Sequence, residues 1–436
     1  MAEHTQTGGR AATGGVIDGG TALAVGMPKA PLPPGFTWQA LAHLARLETG
    51  HTPSRRVIEY WNGSIPWIGI RDATENHGRT LLDTKQHISQ AGVENSSTRL
   101  LPAQTVCLSR TASVGYVVTM GVPMCTSQDF VNWVCGTQLD HRYLALVLRL
   151  EQETVRRFAS GTTHQTVYFP EAKAFHIAAP SLAGQRAIAD VLGALDDKDE
   201  ANRRQSSLIA ALLKLKFAVI TERCLNRKSL AEMATFIKGV SYRSSELSSL
   251  GDTCLVTLKS VGRQGGYQSS GLKPYTGKPK RAQVLKPGEL VVAQTDLTQA
   301  ADVIGRVVRV PTDVNAGRLV ASLDLVIARP RDGISPEYLY GLLLEERFRQ
   351  HCRSRSSGTT VLHLSREALP QYEAPYVPIE EQERFALLAR PLLDKHDALG
   401  RESTRLAALR DALLPELLSG RMRVPQASEV VESAMA

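Results

Sequence analysis

Apolar and polar positions follow two patterns along this chain, one typical of a mixed α/β globule and one typical of a long helix. Each pattern occurs twice. In the first occurrence, β-prone runs at 106–109, 115–120 and 130–134 are separated by turn-forming Gly, Pro, Asn and Ser, which predicts a sheet with long loops. Helical spacing flanks that region at 38–47, where Gly50 is a plausible C-terminal cap, and at 141–158. The second occurrence predicts helix at 230–237, strands near 255–259, 290–294, 304–310 and 323–328, and helix at 336–352. Each stretch therefore predicts a mixed α/β globule.

A long stripe of apolar positions follows each globule. Within 185–220 the apolar positions recur at steps of three and four, and the intervening seam positions Asp199, Asn202 and Ser206 are polar. About 36 helical residues would form a rod of about 54 Å. Two such stripes can bury each other as an antiparallel pair, with Pro391 expected to kink or delay the second helix. Periodicity alone leaves ordinary core helices as the alternative.

The chain also repeats itself in fixed register. Gly161-Thr162-Thr163 recurs 197 positions later as Gly358-Thr359-Thr360, and the same offset relates Gln185 to Gln382. Asp197-Lys198 and Ala210-Ala211-Leu212 recur likewise as Asp394-Lys395 and Ala407-Ala408-Leu409. This period is too long for a solenoid, whose units span roughly 20 to 50 residues, so it indicates two copies of a whole domain with its connector. A duplicated chain of this kind can contact a two-part target with pseudo-two-fold symmetry.

These patterns predict an α/β mixed fold in which two tandem α/β globules are separated and joined by two long antiparallel helices. The expected divisions are a disordered tail at 1–35, a first globule at 36–179, a first spacer helix at 180–226, a second globule at 227–376, a second spacer helix at 377–424 and a frayed tail at 425–436.

Composition narrows the class of partner only slightly. The 436 residues include 51 Lys plus Arg against 43 Asp plus Glu, for a net charge of +8, which is compatible with an anionic partner. The six cysteines form no CxxC pair, which is typical of reduced thiols in a cytosol rather than of disulfides or a zinc site. The longest apolar runs, such as 319–328, are too short to span a bilayer and are interrupted by Asp324. We therefore expect a soluble, cytoplasmic protein.

Three segments resemble the specificity subunits of type I restriction-modification enzymes. They are Asn62-Gly63-Ser64-Ile65-Pro66-Trp67, the stretch from Val93-Glu94-Asn95-Ser96-Ser97 to Leu101-Pro102, and the block from Pro180 through Gln185 to Leu195-Asp196. The order of globule and long helix resembles that family over about residues 36–424. The second copy departs from the pattern, since Pro378 lies four residues before Gln382 where Pro180 lies five before Gln185, and Leu393 replaces Asp196.

The resemblance implies a function for each part of the chain. Each globule would be a target recognition domain that reads one half of a split double-stranded DNA site. The paired helices would fix the spacing and dock two adenine methyltransferase subunits, and two ATP-driven restriction subunits could join. S-adenosylmethionine, ATP and magnesium would then belong to those partners. Recognition from one face of the duplex would place the half-sites about 10 base pairs apart, centre to centre.

Candidate DNA-binding residues are present in both copies. Lys and Arg are the usual contacts to phosphates, and Arg, Lys, Asn, Gln or small hydroxyl residues are the usual contacts to base edges. In the first copy they are Arg71, Arg110, Thr111, Ser113, Gln128, Thr162, Thr163, His164 and Gln165. In the second they are Lys259, Arg263, Gln294, Thr295, Asp296, Thr359 and Thr360, with Lys278, Lys280, Arg281, Arg353 and Arg355 as phosphate contacts. Any one of these residues could instead be an ordinary solvated side chain.

The repeated Gly-Thr-Thr motif has two interpretations. A glycine followed by two hydroxyls suits close approach of the backbone to a phosphate. The same sequence also suits a turn between a strand and a helix. The partner-binding positions predicted on the helices are Gln185, Ile188, Leu192, Leu195, Ile209, Gln382, Phe385, Leu388, Leu392, Leu406 and Leu409.

No catalytic motif is evident in the sequence. It contains no Walker loop, HExxH, Gly-x-Gly-x-x-Gly after a strand, or Asn-Pro-Pro-aromatic methylase motif. Glu171-Ala172-Lys173 has the Glu-x-Lys form of metal-dependent nucleases, with Asp129 or Asp140 as conceivable upstream ligands. His164 with Cys107 or Cys135 is a further candidate pair, although packed pairs of this kind are common. The prediction is a non-catalytic specificity subunit, and a scaffold that binds protein but not DNA is the alternative.

Overall fold

The structure, a computed structural model, describes residues 17, 19–160, 165–248, 252–263, 265–298, 301–311 and 317–435. It divides into two compact units. The first consists of Met1–Asp197 with Leu406–Ala436, and the second of Lys198–Arg405. Each unit therefore contains one globule and parts of both long helices.

Among the residues described, the first unit contains eleven strands, six short α-helices and one 3₁₀ helix (Ile58–Tyr60) before its long helix. The strands are β1 (Leu23–Val25), β2 (Thr37–Ala40), β3 (Ala45–Thr49), β4 (Trp61–Ile68), β5 (Arg79–Leu81), β6 (Gln86–Ile88), β7 (Val106–Ser109), β8 (Val117–Met120), β9 (Cys125–Thr126), β10 (Phe130–Cys135) and β11 (Phe175–Ala179). The helices are α1 (Leu41–Leu44), α2 (Ile70–Glu75), α3 (Gln90–Glu94), α4 (His141–Leu150), α5 (Gln152–Phe158) and α6 (Phe169–Lys173), followed by the long helix α7 (Leu182–Thr221).

The second unit repeats much of this order. Its strands are β12 (Arg227–Ser229), β13 (Ala234–Lys238), β14 (Thr253–Val256), β15 (Lys273–Pro274), β16 (Val284–Leu285), β17 (Leu290–Ala293), β18 (Thr295–Asp296), β19 (Val307–Arg309), β20 (Arg318–Ala321), β21 (Leu325–Pro330), β22 (Ser356–Ser357), β23 (Leu362–Leu364) and β24 (Glu373–Pro375). The helices are α8 (Leu230–Met233), α9 (Pro336–Leu344), α10 (Glu346–Ser354) and the long helix α11 (Ile379–Leu418), after which α12 (Val424–Met435) returns to the first unit.

The sheets of the two globules correspond strand by strand. The order β3-β10-β7-β8 in the first unit matches β13-β21-β17-β19 in the second. In both, the hairpin β7–β8 or β17–β19 is antiparallel, and its first strand pairs with the strand that precedes the next helix. Equivalent tyrosines lock that helix to the globule, since the Tyr143 hydroxyl donates to the Ala178 carbonyl at 2.7 Å and the Tyr338 hydroxyl to that of Pro375 at 2.8 Å.

Two predicted helices are mostly strand. The segment 38–47 forms β2, a single helical turn and β3, because β2 pairs with β11 and β3 with β10. The segment 230–237 likewise forms one turn, α8, before β13 pairs with β21. Gly50 is not a helix cap: a Cβ there would lie 2.1 Å from the Ser127 carbonyl oxygen, and one at the equivalent Gly239 would lie 1.9 Å from that of Ser322. Both glycines therefore permit a close backbone crossing.

Both predicted tails contain ordered, buried residues. Leu23–Val25 pairs with β11, and Ala22 donates its N–H to the buried Glu151 carboxylate at 2.6 Å. At the other end, Ala427 and Val431 of α12 are buried in the core of the first unit. The disordered-tail predictions were therefore wrong for residues 19–35 and 425–435, because short apolar groups in both segments complete that core.

The long helices each span 40 residues, or about 60 Å. In the first unit, Ile188, Leu192 and Leu195 of α7 share a core with Leu406 and Leu413 of α11. In the second unit, the Asn202 amide donates to Glu402 at 2.9 Å, and the rings of Phe217 and Phe385 lie 5.5 Å apart. The pairing is antiparallel within each unit.

The helix α11 begins at Ile379 and runs through Pro391 without a break, so the expected delay of the helix was wrong. Proline removes an N–H that would have bonded to the carbonyl of Leu387, four residues earlier. The Leu387 side chain is 69% exposed, so this turn of the helix faces solvent and water can satisfy that carbonyl. Among the described residues, no helix is long and apolar enough to cross a membrane, and all six cysteines are free.

Candidate nucleic-acid interface

A threonine and an aspartate meet at the same place in both globules. The Thr111 hydroxyl donates to Asp129 at 2.6 Å, and the Thr295 hydroxyl donates to Asp324 at 2.9 Å. In each case the threonine lies two residues beyond the first strand of the hairpin, β7 or β17, and the aspartate lies just before the neighbouring strand. We call these the hairpin clusters.

The segment that follows the Gly-Thr-Thr motif is hydrogen-bonded to each hairpin cluster through its backbone. The Val167 N–H donates to the Arg110 carbonyl at 2.9 Å, and the Leu364 N–H donates to that of Gln294 at 2.8 Å. Val167 and Leu364 lie 197 positions apart, so the register repeated in the sequence corresponds here to equivalent backbone hydrogen bonds in the two units.

The second-copy motif is exposed and requires its glycine. Thr359 and Thr360 are exposed. Gly358 has φ +135°, and a Cβ there would lie 2.0 Å from the Val361 carbonyl oxygen. The first-copy motif, including Thr162, Thr163 and His164, lies outside the described residues.

The other first-copy candidates surround the hairpin cluster, except for one. Arg110 donates from Nε to the Gln128 carbonyl at 3.1 Å, while the exposed Gln128 side chain accepts a hydrogen bond from Thr52. The Ser113 carbonyl accepts from the Ser109 hydroxyl within the same loop, and Gln165 is exposed beside it. Arg71 is also exposed, but it lies apart from this cluster on α2.

The second-copy basic candidates are mostly exposed. Lys259, Arg263, Lys278, Lys280, Arg281 and Arg355 are exposed on turns and loops, a distribution that suits contacts with phosphates. Arg353 is instead partly buried, and its Nε donates to the Ala301 carbonyl at 3.2 Å. Gln294 donates its side-chain amide to the Leu323 carbonyl.

Asp296 holds a loop in place and is not positioned to read bases. Its side chain is 1% exposed, and its carboxylate accepts hydrogen bonds from the N–H groups of Thr298 at 2.8 Å, Val303 at 2.5 Å and Ile304 at 3.0 Å. Burial alone would raise the pKa of Asp296, but these hydrogen bonds outweigh it and hold that pKa below the usual range. Thr295 is buried too. The base-reading role predicted for both residues does not fit this geometry. Both side chains are buried, and both already make hydrogen bonds inside the protein.

Most of the helix positions predicted to bind partners are buried inside their own unit. The buried ones are Gln185, Ile188, Leu192, Leu195, Gln382, Phe385 and Leu406, while Ile209, Leu392 and Leu409 are half-buried and Leu388 is 37% exposed. The apolar stripe predicted to bind partners thus packs mainly against the globule and the other long helix. Burial of this stripe leaves a different face for partners.

The exposed face of α7 carries a second apolar stripe within the second unit. Leu208, Leu212, Leu215 and Val219 are 70%, 38%, 62% and 61% exposed. Their spacing of four, three and four places them on one face of a helix. These four residues are not among the predicted partner-binding positions, although their helical spacing is present in the sequence. We call it the α7 outer stripe.

The repeated glutamines brace the start of each long helix. Gln185 accepts from the Asp140 N–H at 3.0 Å and donates to the carbonyls of Gln138 and Pro180. Gln382 accepts from the Ser335 N–H at 3.1 Å and donates to the Val377 carbonyl at 2.9 Å. Each glutamine thus joins a long helix to the N-terminus of α4 or α9.

An ion-pair network ties both long helices to the first globule. Asp196 of α7 pairs with Arg149 of α4 at 3.3 Å and with Arg410 of α11 at 2.8 Å. Burial together with the nearby Arg149, Arg156 and Arg410 lowers the pKa of His77 to about 4, so His77 is neutral at pH 7. The neutral ring accepts the Val117 N–H at Nδ1. The network therefore ties the middle of α7 and the C-terminal part of α11 to α4. Neutral His77 adds no further positive charge beside these arginines.

The residues considered for a nuclease site have separate structural roles. Asp140 caps α4, and Asp129 accepts the hydroxyls of Thr111 and Ser127. Glu171 is buried on α6, whereas Lys173 is exposed. Burial raises the pKa of the Cys135 thiol to about 12, as expected for a packed cysteine. This geometry does not support the nuclease interpretation.

Comparison with known proteins shows what this arrangement resembles. Residues 36–210 match the model of the type I restriction modification DNA specificity domain. Over 425 residues, the chain is 24% identical to the type I restriction enzyme MjaIX specificity subunit of Methanocaldococcus jannaschii, which covers 91% of this chain and 95% of that relative. Over most of its length, the chain is thus similar to type I restriction-modification specificity subunits.

Further similarities extend over different lengths of the chain. The type I restriction enzyme EcoprrI specificity subunit of Escherichia coli is 35% identical over 94 residues, which are 21% of this chain and 23% of that protein. The crystal structure of a type I restriction-modification S subunit from M. genitalium has a TM-score of 0.55 at 16% identity, covering 90% of this chain and 98% of that one. The predicted fold class is thus confirmed.

Proposed function

We propose that this chain is the DNA-specificity subunit of a type I restriction-modification complex, and that each globule reads one half of a bipartite site. The observation that carries this proposal is the pair of hairpin clusters, Thr111–Asp129 and Thr295–Asp324, which hold equivalent loops in two separate units. A two-part target needs two such surfaces with different side chains around them. Arg110 in the first copy is replaced by Gln294 in the second, so the two surfaces would read different sequences.

The chain supplies recognition, and partner subunits perform the chemistry. S-adenosylmethionine would bind a methyltransferase subunit, which would flip the target adenine out of the duplex. ATP and magnesium would bind restriction subunits where these are present. On this proposal, no residue of this chain contacts the reacting atoms.

Exchange of one globule tests the division of labour. Replacing residues 36–179 with the corresponding segment of another specificity subunit should change one half of the methylated motif and leave the other half intact. A motif that changes in both halves, or in neither, would contradict independent reading. If the complex instead binds DNA without any fall in affinity as salt increases, the protein-binding scaffold becomes the better account.

The α7 outer stripe is the proposed docking surface for a methyltransferase subunit. Four exposed aliphatic side chains in a row are costly in water, and burying one leucine stabilises an interface by about 1.5–3 kcal/mol. Leu212→Glu should therefore weaken binding of the methyltransferase by about 10- to 150-fold in a titration with the purified subunit.

Ala218→Glu is the matched control for that experiment. Ala218 is exposed on the same helix but lies off the stripe, and the substitution introduces the same charge. Equal weakening by the two variants would indicate a general charge effect. Unchanged affinity in Leu212→Glu would place the docking surface elsewhere.

A further inference from the structure

A surface loop in the first globule is held by two tryptophans. The Trp67 indole N–H donates to the His51 carbonyl at 3.1 Å, and that of Trp61 donates to the Ser54 carbonyl at 3.1 Å. The two indole rings meet edge to face with centroids 5.2 Å apart. Residues 51–56 are therefore fixed on a rigid aromatic base rather than left as an irregular loop.

The loop forms one wall of an open groove of about 460 Å³. The Arg55 guanidinium lies over the Trp61 ring, 4.5 Å from its centroid, and donates to the Gln86 side-chain oxygen at 3.2 Å. Lys85 and His87 also line the groove, and they pair with Glu75 at 2.6 Å and Asp83 at 2.7 Å respectively. A stacked arginine is thus positioned beside a glutamine.

This combination has the chemistry of base recognition. An arginine fork can donate two hydrogen bonds to guanine O6 and N7, and a glutamine amide can bond to adenine N6 and N7. Stacking on Trp61 and the bond to Gln86 hold the guanidinium plane, which reduces the entropy lost when it binds a base edge.

The loop that forms the wall of the groove is also hydrogen-bonded to Gln128, beside the hairpin cluster of the same globule. Thr52, three residues before Arg55, donates a hydrogen bond to the Gln128 side chain. The backbone carbonyl of Gln128 in turn accepts from Arg110. One short loop therefore connects Arg110 and Arg55, as a single extended DNA-binding surface requires.

We propose that this groove reads base edges in the first half-site, with Arg55 and Gln86 as specificity-determining residues. The inference rests on the proposed function and extends it to a site absent from the sequence-based candidates. In the second copy, the segment after Gly239 reads Val240-Ser241-Tyr242-Arg243 and has no tryptophan pair. The groove therefore serves the first half-site.

Substitution of Arg55 tests the proposal in the assembled complex. The chain and its methyltransferase subunits are produced together in a host that lacks other adenine methylation, and the modified bases are sequenced. Arg55→Lys keeps the charge but loses the planar fork. It should relax or change at least one position of the first half of the motif, with at least a tenfold loss of preference there, and leave the second half unchanged. Gln86→Ala should alter the first half as well.

Arg56→Ala is the matched control, because Arg56 is the exposed neighbour of Arg55 and does not line the groove. It should leave the motif unchanged. If Arg55→Lys and Gln86→Ala both retain the wild-type motif while wild type shows a clear split motif, the inference is overturned and the groove contacts phosphates at most. If wild type shows no split motif, the proposed function itself fails.

Discussion

Asp296→Asn should loosen one loop of the second globule. The carboxylate receives the Val303 and Ile304 N–H groups on one oxygen, and the N–H and hydroxyl of Thr298 on the other. An asparagine keeps only one acceptor oxygen. Its best orientation retains the first pair of bonds and turns its NH₂ group toward Thr298, whose backbone N–H then loses its acceptor.

The magnitude follows from these bonds. An unpaired N–H costs about 1–3 kcal/mol, and each remaining bond changes from charge-assisted to neutral, which weakens it by roughly half a kcal/mol to 1 kcal/mol. The expected destabilisation of the loop is about 2–5 kcal/mol. Amide hydrogen exchange at Val303 and Ile304 should therefore accelerate by about 30- to 5000-fold if exchange proceeds by local opening.

The effect should depend on pH in a defined direction. The pKa of Asp296 is lowered in the folded state, so its stabilising contribution is fully present above the unfolded pKa, about 3.9. It is lost as pH falls through the lower folded pKa. The difference between wild type and Asp296→Asn should thus be full at pH 7 and shrink only below about pH 4.

Asp332→Asn provides the control for this experiment, because it removes the same charge from an exposed position in the same unit. It should leave exchange at Val303 and Ile304 unchanged. Unaltered exchange in Asp296→Asn at pH 7 would refute the assignment of Asp296 as a loop anchor and would restore it as a candidate for base contact.

Two further predictions concern the long helices. Gln382→Ala leaves the buried Ser335 N–H and Val377 carbonyl unpaired, so it should destabilise the second unit by about 2–5 kcal/mol in denaturant unfolding. Gln371→Ala, the control, should cost under about 1 kcal/mol. A small cost at Gln382 would contradict its bracing role. Inserting four residues within 206–209 lengthens α7 by about 6 Å and should change the spacer length of the methylated motif. Altered half-sequences with an unchanged spacer would contradict a spacing role for the helices.

The repeat and the long helices were predictable because they depend on periodic apolar positions and on register. The 197-residue offset aligns Gln185 with Gln382, and these residues make equivalent braces in the two units. Local segments were less predictable. In 38–47 the apolar positions fit a helix, but pairing of β2 with β11 and of β3 with β10 determines the strands, and those partners are distant in sequence.

The candidate interface was predictable by region but not by side chain. Residue type indicated Thr111 and Thr295, yet both hydroxyls donate to aspartates beside them, Asp129 and Asp324. Arg55 could not be singled out from the sequence, because its position depends on Trp61 and Gln86, which come together only when β4 and β6 pair. The spacing of apolar residues along α7 likewise fits both the buried stripe and the α7 outer stripe. Spacing alone does not show which of the two is buried.

On our proposal, this chain determines which split DNA sequence is methylated. Single-molecule sequencing of modified bases in host DNA, with the gene present, deleted and restored, is the measurement to make first. We expect one bipartite adenine-methylated motif to disappear on deletion and to return when the gene is restored. A methylation pattern that stays the same in all three strains, with the methyltransferase subunit expressed in each, would contradict it.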